Sequence, residues 1–130
     1  MNEAPIGIAL ILCDSIITDA KTGKNSLIGL FNNINCNSLP SLHARFCIFA
    51  QLTNGRGKQS IDIRCQSLQA EEVVFQTGGE IEFVNPNQVI EIQFELLNLT
   101  FPHAGMYTVE LEADGMLVIE SRFNVTTPQL

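Results

Sequence analysis

From residue 88 to residue 96 the chain alternates, with Ile90, Ile92, Phe94 and Leu96 on one side and Glu91, Gln93 and Glu95 on the other. A period of two marks a β-strand with one face in a core and one in water. The rhythm recurs at Tyr107, Val109 and Leu111 against Thr108, Glu110 and Glu112, and at Ile61, Ile63 and Cys65 against Asp62, Arg64 and Gln66. Residues 6–17 are instead apolar at nearly every position. That pattern predicts a central strand covered on both faces, or one that crosses between two sheets. A polar turn through Asp19, Lys21 and Gly23 leads to a second strand at 26–31. Helical periodicity is absent throughout.

Turn residues punctuate the rest. Residues 44–52 and 58–68 flank Asn54-Gly55-Arg56-Gly57 and read as a hairpin. In it Phe46, Ile48, Ala50 and Leu52 share one face, and Arg45, Cys47, Phe49 and Gln51 the other. Pairing Leu52 with Lys58 would set Cys47 opposite Ile63 and close to Cys65. Two short edge strands, 72–76 and 80–84, are expected on either side of a bend or bulge at Gly78-Gly79. The last two strands, 105–113 and 116–125, are joined by Asp114-Gly115, a type I′ dipeptide. Residues 32–42, rich in Asn and holding Pro40, predict a loop. With no repeat and no linker, residues 1–130 form one domain: an all-β, antiparallel β-sandwich of about eight or nine strands.

Composition narrows the function classes. Of 130 residues, 45% are hydrophobic and 16% charged, below the ~25% charged of an average globular protein. The net charge is -7, which argues against nucleic acid as a partner, since phosphate binding draws on clustered Lys and Arg. Charge is unevenly divided. Residues 1–65 hold Lys21, Lys24, Arg45, Arg56, Lys58 and Arg64 against Glu3, Asp14, Asp19 and Asp62, whereas residues 66–130 set Arg122 against ten acids. The plain reading is that strand-surface carboxylates of the second half face water; the sharper one is an acidic face that docks a basic partner or the less acidic half of a second copy. No apolar run approaches the ~20 residues of a membrane span. The run from Ile6 to Leu12 follows Glu3 and Pro5 without the basic start of a secretory signal, and Leu12 breaks the small-residue rule of a lipoprotein site before Cys13. The expectation is a cytoplasmic protein with no membrane contact. Cys13, Cys36, Cys47 and Cys65 lack a C-x-x-C pair, so thiols acting as small core residues are expected. The triplets at Asn98 and Asn124 matter only in a secreted chain.

Candidate chemistry is sparse, and no catalytic, cofactor-binding or metal residue is assigned. For nucleophilic catalysis the candidate pair is Cys36 with His43, which sits beside the loop that contains Cys36. Gly23-Lys24-Asn25-Ser26 lacks the earlier glycine and adjacent hydroxyl of a phosphate loop, and Lys21 stands where a calcium loop wants oxygen. Glu80 with Glu82, Glu91 with Glu95, and Glu110 with Glu112 each face one side of a strand, which reads as solvated surface, with weak holding of divalent cations as the alternative if two of the strands are neighbours.

Two resemblances add to this reading. Residues 9–14 (ALILCD), Thr22-Gly23-Lys24, residues 26–32 (SLIGLFN), Asn54-Gly55-Arg56-Gly57, Phe101-Pro102, Gly105-Met106-Tyr107, Asp114-Gly115 and Arg122-Phe123 occur in an order similar to an uncharacterised family of small bacterial proteins. The resemblance covers about Ala9 to Val125 and implies a stand-alone β domain of unknown function. Gly105 to Leu111 resembles the entry to a late strand of immunoglobulin-like domains, where a Tyr caps a corner by bonding upstream backbone. The leading expectation is a non-enzymatic structural or protein-interaction domain, with a homo-oligomer as one form. The alternative is a small-ligand or metal-binding domain with a pocket between the sheets near residues 32–42, and the third is a thiol enzyme using Cys36 and His43.

Overall fold

The structure, a computed structural model, describes residues 4–128; Glu3, counted in the charge balance, lies outside them. It is all-β, with nine strands: β1 (Ile6–Thr18), β2 (Asn25–Leu30), β3 (Asn33–Asn35), β4 (Ser41–Thr53), β5 (Gly57–Ser67), β6 (Val73–Phe83), β7 (Val89–Phe101), β8 (Gly105–Ala113) and β9 (Met116–Thr126). They make a four-stranded sheet in the order β2-β1-β4-β7 and a five-stranded sheet in the order β3-β9-β8-β5-β6. All neighbours are antiparallel except β3 and β9, which are parallel.

The inward rows of the two sheets meet in a single core. At its centre the fully buried Phe46 touches Phe31, His43, Phe75, Phe101 and Phe123 at centroid distances between 5.3 and 6.1 Å. Aromatic pairs in such tilted geometries contribute about 0.5–1.5 kcal/mol each beyond their buried area. Tyr107 stacks on Phe123 and donates its hydroxyl to the His103 carbonyl at 2.7 Å. This is the upstream bond expected of a corner tyrosine.

The expected hairpin of residues 44–52 with 58–68 does not form. Strand β4 is bonded on one side to β1 and on the other to β7, so β5 has no free edge there and joins the opposite sheet. Asn54, at φ 62°, turns the chain and anchors its N–H on the Pro86 carbonyl at 3.0 Å. Cys47 therefore lies opposite Cys13, not beside Cys65. The two short strands expected around Gly78-Gly79 are one continuous edge strand, β6. Gly78 is required by close approach: a Cβ there would lie 2.3 Å from the Ile61 carbonyl oxygen. Within the expected loop, residues 33–35 pair with β9 as β3, and β4 begins at Ser41. The Asp114-Gly115 turn matches its sequence reading, with φ of 49° and 83°.

Strand β1 is central, as its apolar run predicts, but it is covered on both faces only in part. Leu10, Leu12 and Cys13 are buried, while Ile6, Ile8 and Ile17 are about half exposed. The reason is a curl. Pairing with β4 ends at Cys13, whereas pairing with β2 continues to Thr18. The far end of this β1–β2 arm doubles back over the outer face of its own sheet. There Asn25 donates to Glu91 at 2.9 Å and accepts from Gln93 at 2.8 Å, and Gln51 donates to the same Glu91 carboxylate at 2.8 Å. Beneath the arm, Cys13, Cys47 and Phe49 are buried although they face away from the core.

Candidate functional site

Among the described residues the strand pairing leaves backbone without a strand partner where β1 and β9 meet, besides the outer sides of the terminal strands, β2, β6 and β7 among them. From Ile6 to Ile11, β1 has no strand partner on the side away from β4 among the described residues. The gap closes where the Phe31 N–H donates to the Leu12 carbonyl at 3.1 Å. Across from it, β9 pairs with β3 only from Asn124 onward, which leaves residues 116–123 without a strand partner on the side away from β8 among the described residues. The two strands touch where Gly7 meets Ile119; a Cβ on Gly7 would lie 2.7 Å from the Ile119 Cβ. Beyond that seam a groove of about 440 Å³ opens, lined by residues 10–12 and 30–33 and by Ser121.

This edge carries no charge between Ile6 and Cys13 or between Met116 and Ile119. Ile6 is 54% exposed, Ile8 49%, Met116 64% and Leu117 53%. Ile8 sits in the bulge between Gly7 and Ala9, a device that re-aims a side chain. Past Ile119 the same stretch of β9 holds Glu120 and Arg122, and the edge strand β2 is likewise uncharged, with Ile28 and Leu30 exposed; the long edges β6 and β7 differ. Strand β6 carries Glu80 and Glu82, and β7 carries Glu91 and Glu95; charges along an edge discourage strand addition.

The residues singled out in the sequence are not brought together into a reactive group. Cys36 donates its thiol to the Thr126 carbonyl at 3.5 Å, and the His43 ring lies among Phe31, Phe46 and Phe101 with its Nε2 buried and without a hydrogen-bond partner. No hydrogen bond joins the two. His103 instead approaches Glu72, Nε2 to carboxylate at 3.0 Å. Shallow depressions of about 230 and 300 Å³ flank residues 32–37. Neither is enclosed by His43.

Several of the carboxylates singled out in the sequence are held by arginines or amides. Glu110 and Glu112 share Arg64 at 3.3 and 3.7 Å, Glu95 pairs with Arg45 at 3.1 Å, and Glu91 belongs to the Asn25 network. Among the described residues no group of three His, Cys, Asp or Glu side chains is placed to hold a metal ion. Thr108, expected in solvent, is buried, with its hydroxyl 3.5 Å from the Glu120 carboxylate. Burial pushes the Cys65 thiol up to about 12, and it raises Cys13 and Cys47 as well. Burial also raises Tyr107, opposed by its bond to the His103 backbone.

The open edge was not read from the sequence. Its signal was the uncharged run from Ile6 to Cys13, which suits a doubly covered strand equally well; only the pairing partners distinguish the two. The described part of the chain is thus all-β, in two curled sheets with an uncharged open edge where β1 and β9 meet, and no helix in it is long and apolar enough to cross a membrane.

The chain belongs to a family of unknown function, DUF6941, whose model matches residues 8–126. No curated protein matches it in sequence. Among solved structures it is similar to the Pseudomonas fluorescens alkylpurine DNA glycosylase AlkC bound to DNA containing an abasic site analog. That likeness has a TM-score of 0.51 at 8% identity over 91% of this chain, and this chain spans 30% of the glycosylase. A β-glucosidase from Kluyveromyces marxianus is similar at a TM-score of 0.46 and 11% identity, over 73% of this chain and 14% of that one. At such identities the first likeness bears on fold alone.

Proposed function

We propose that this domain is a protein-interaction module that captures an extended segment of a partner by strand addition along β1, in the groove shared with β9. The observation that carries it is the unpaired, uncharged edge at residues 6–11 facing the equally unpaired residues 116–123. Backbone N–H and C=O groups on such an edge bind a strand through main-chain hydrogen bonds, while neighbouring pockets select alternate side chains. The partner segment is an apolar-alternating strand flanked by Lys or Arg, because a net charge of -7 attracts basic sequence and repels a second copy. The supporting frame is an immunoglobulin-like sandwich. In its favour stand the parallel β3–β9 pair, the β4-to-β5 and β7-to-β8 crossings between sheets, and the Tyr107 corner. Four free thiols suit a reducing, cytoplasmic setting.

Panning random displayed peptides against the protein tests this reading. Enriched sequences should alternate apolar residues between basic flanks. They should lose binding to an Ile8→Lys, Leu117→Lys double variant whose thermal midpoint is unchanged, since both positions are exposed. Peptides that bind the double variant equally well would contradict it. So would a dimer that the double variant disperses, which would give the edge to a second copy.

A further inference from the structure

We propose that Cys13 and Cys47 are a dithiol modification site, which low-molecular-weight disulfides of the glutathione class oxidise to a cross-strand disulfide when the β1–β2 arm lifts. The two residues are direct partners in the antiparallel β1–β4 ladder and both are free thiols. Directly opposed residues of such a ladder have Cα atoms ~4.5–5.5 Å apart, inside the ~4.4–6.8 Å that a disulfide spans. Their side chains share the outer face of the sheet, where the Cys47 thiol donates to the Asp14 carbonyl at 3.6 Å, one residue beyond Cys13. No other pair of the four cysteines is opposed in this way: Cys65 faces Phe75 and Val109 in the core, and Cys36 bonds Thr126.

Access is governed by the arm. Cys13 and Cys47 are fully or almost fully buried beneath it, and its far end is held by Asn25 on Glu91 and Gln93. Once the arm lifts, one thiol loses its proton to water and its thiolate attacks a sulfur of the small disulfide. One small thiolate leaves and a mixed disulfide forms. The second protein thiolate attacks the protein sulfur of that bond and expels the second small thiolate. The protein gives up two electrons and two protons, and one small disulfide becomes two small thiols. The product ties β1 to β4 at the residue where their pairing ends.

The test uses the full chain carrying Cys36→Ser, incubated folded with oxidised glutathione and analysed by non-reducing peptide mass spectrometry. The expected product has lost two hydrogen atoms and links the Cys13 and Cys47 peptides, leaving Cys65 reduced. Adding Asn25→Ala should speed its formation several-fold at an unchanged unfolding midpoint, and the rate should rise with pH as the thiols ionise. Stable mixed disulfides on either residue without the link, or two thiols that stay reduced while the Asn25→Ala protein is equally inert, would overturn the site. A link that forms at the same rate with and without Asn25→Ala would overturn the arm as its gate.

Discussion

The least ambiguous chemistry at the level of single residues lies in Cys65. It packs in the core between Phe75 and Val109, and burial holds its thiol at about 12 against an ordinary 9.0. Below pH 9 the folded and unfolded chains both keep this proton, so stability is intact. Between 9 and 12 only the unfolded chain releases it, and each pH unit removes about 1.4 kcal/mol from the folding free energy. The raised Cys13, Cys47 and Tyr107 act in the same direction. Urea unfolding at stepped pH should therefore show stability falling through this window, with a clearly shallower fall in Cys65→Ala. Equal slopes in the two proteins would mean that Cys65 is not the thiol described. Polar residues were harder to read from sequence. Thr108 alternates with inward residues and so reads as solvent-facing, but the Glu120 side chain of the neighbouring strand covers it, a contact only the β8–β9 register creates.

Strand by strand, local pattern was legible wherever one face is wet. The alternation of β7 and β8 and the Asp114-Gly115 turn correspond to what folds, since period and turn chemistry are local properties. Partnership is not local. Asn54-Gly55 is compatible with either a hairpin turn or a sheet-crossing corner, and the competition of β1 and β7 for both edges of β4 decides it. Gly78-Gly79 was legible as a place that needs no Cβ, but for a different reason from a bend. Gly78 faces the backbone of Ile61, whereas nothing lies within 4 Å of the Gly79 position. Gly78→Ala should accordingly cost ~1–3 kcal/mol, through a backbone shift in β5 or β6. Gly79→Ala should change stability by no more than about 0.5 kcal/mol. Thermal or urea melts of the two variants separate these outcomes, and equal losses would place the close approach elsewhere.

Over the whole molecule, the distribution of charge and of unpaired backbone make a common pattern. The acidic second half places Glu80, Glu82, Glu91 and Glu95 on the edge strands β6 and β7, while Ile6 to Cys13 and Met116 to Ile119 are left uncharged. A net charge of -7 opposes self-association, while the β1 edge offers hydrogen-bonding groups that have no strand partner among the described residues. The candidate site was only half visible in the sequence, because its composition is that of a core strand and its exposure follows from β2 pairing with β1 only from Cys13 onward. The chemistry weighed at Cys36 and His43 depended on proximity in sequence, which the aromatic packing around His43 does not preserve. Strand addition is most directly tested by amide hydrogen exchange on the protein with and without a saturating selected peptide. New protection should fall on residues 6–11 and the facing part of β9, with residues 89–101 unchanged; protection confined to β7 or β6, or absent from residues 6–11, would contradict capture at this edge.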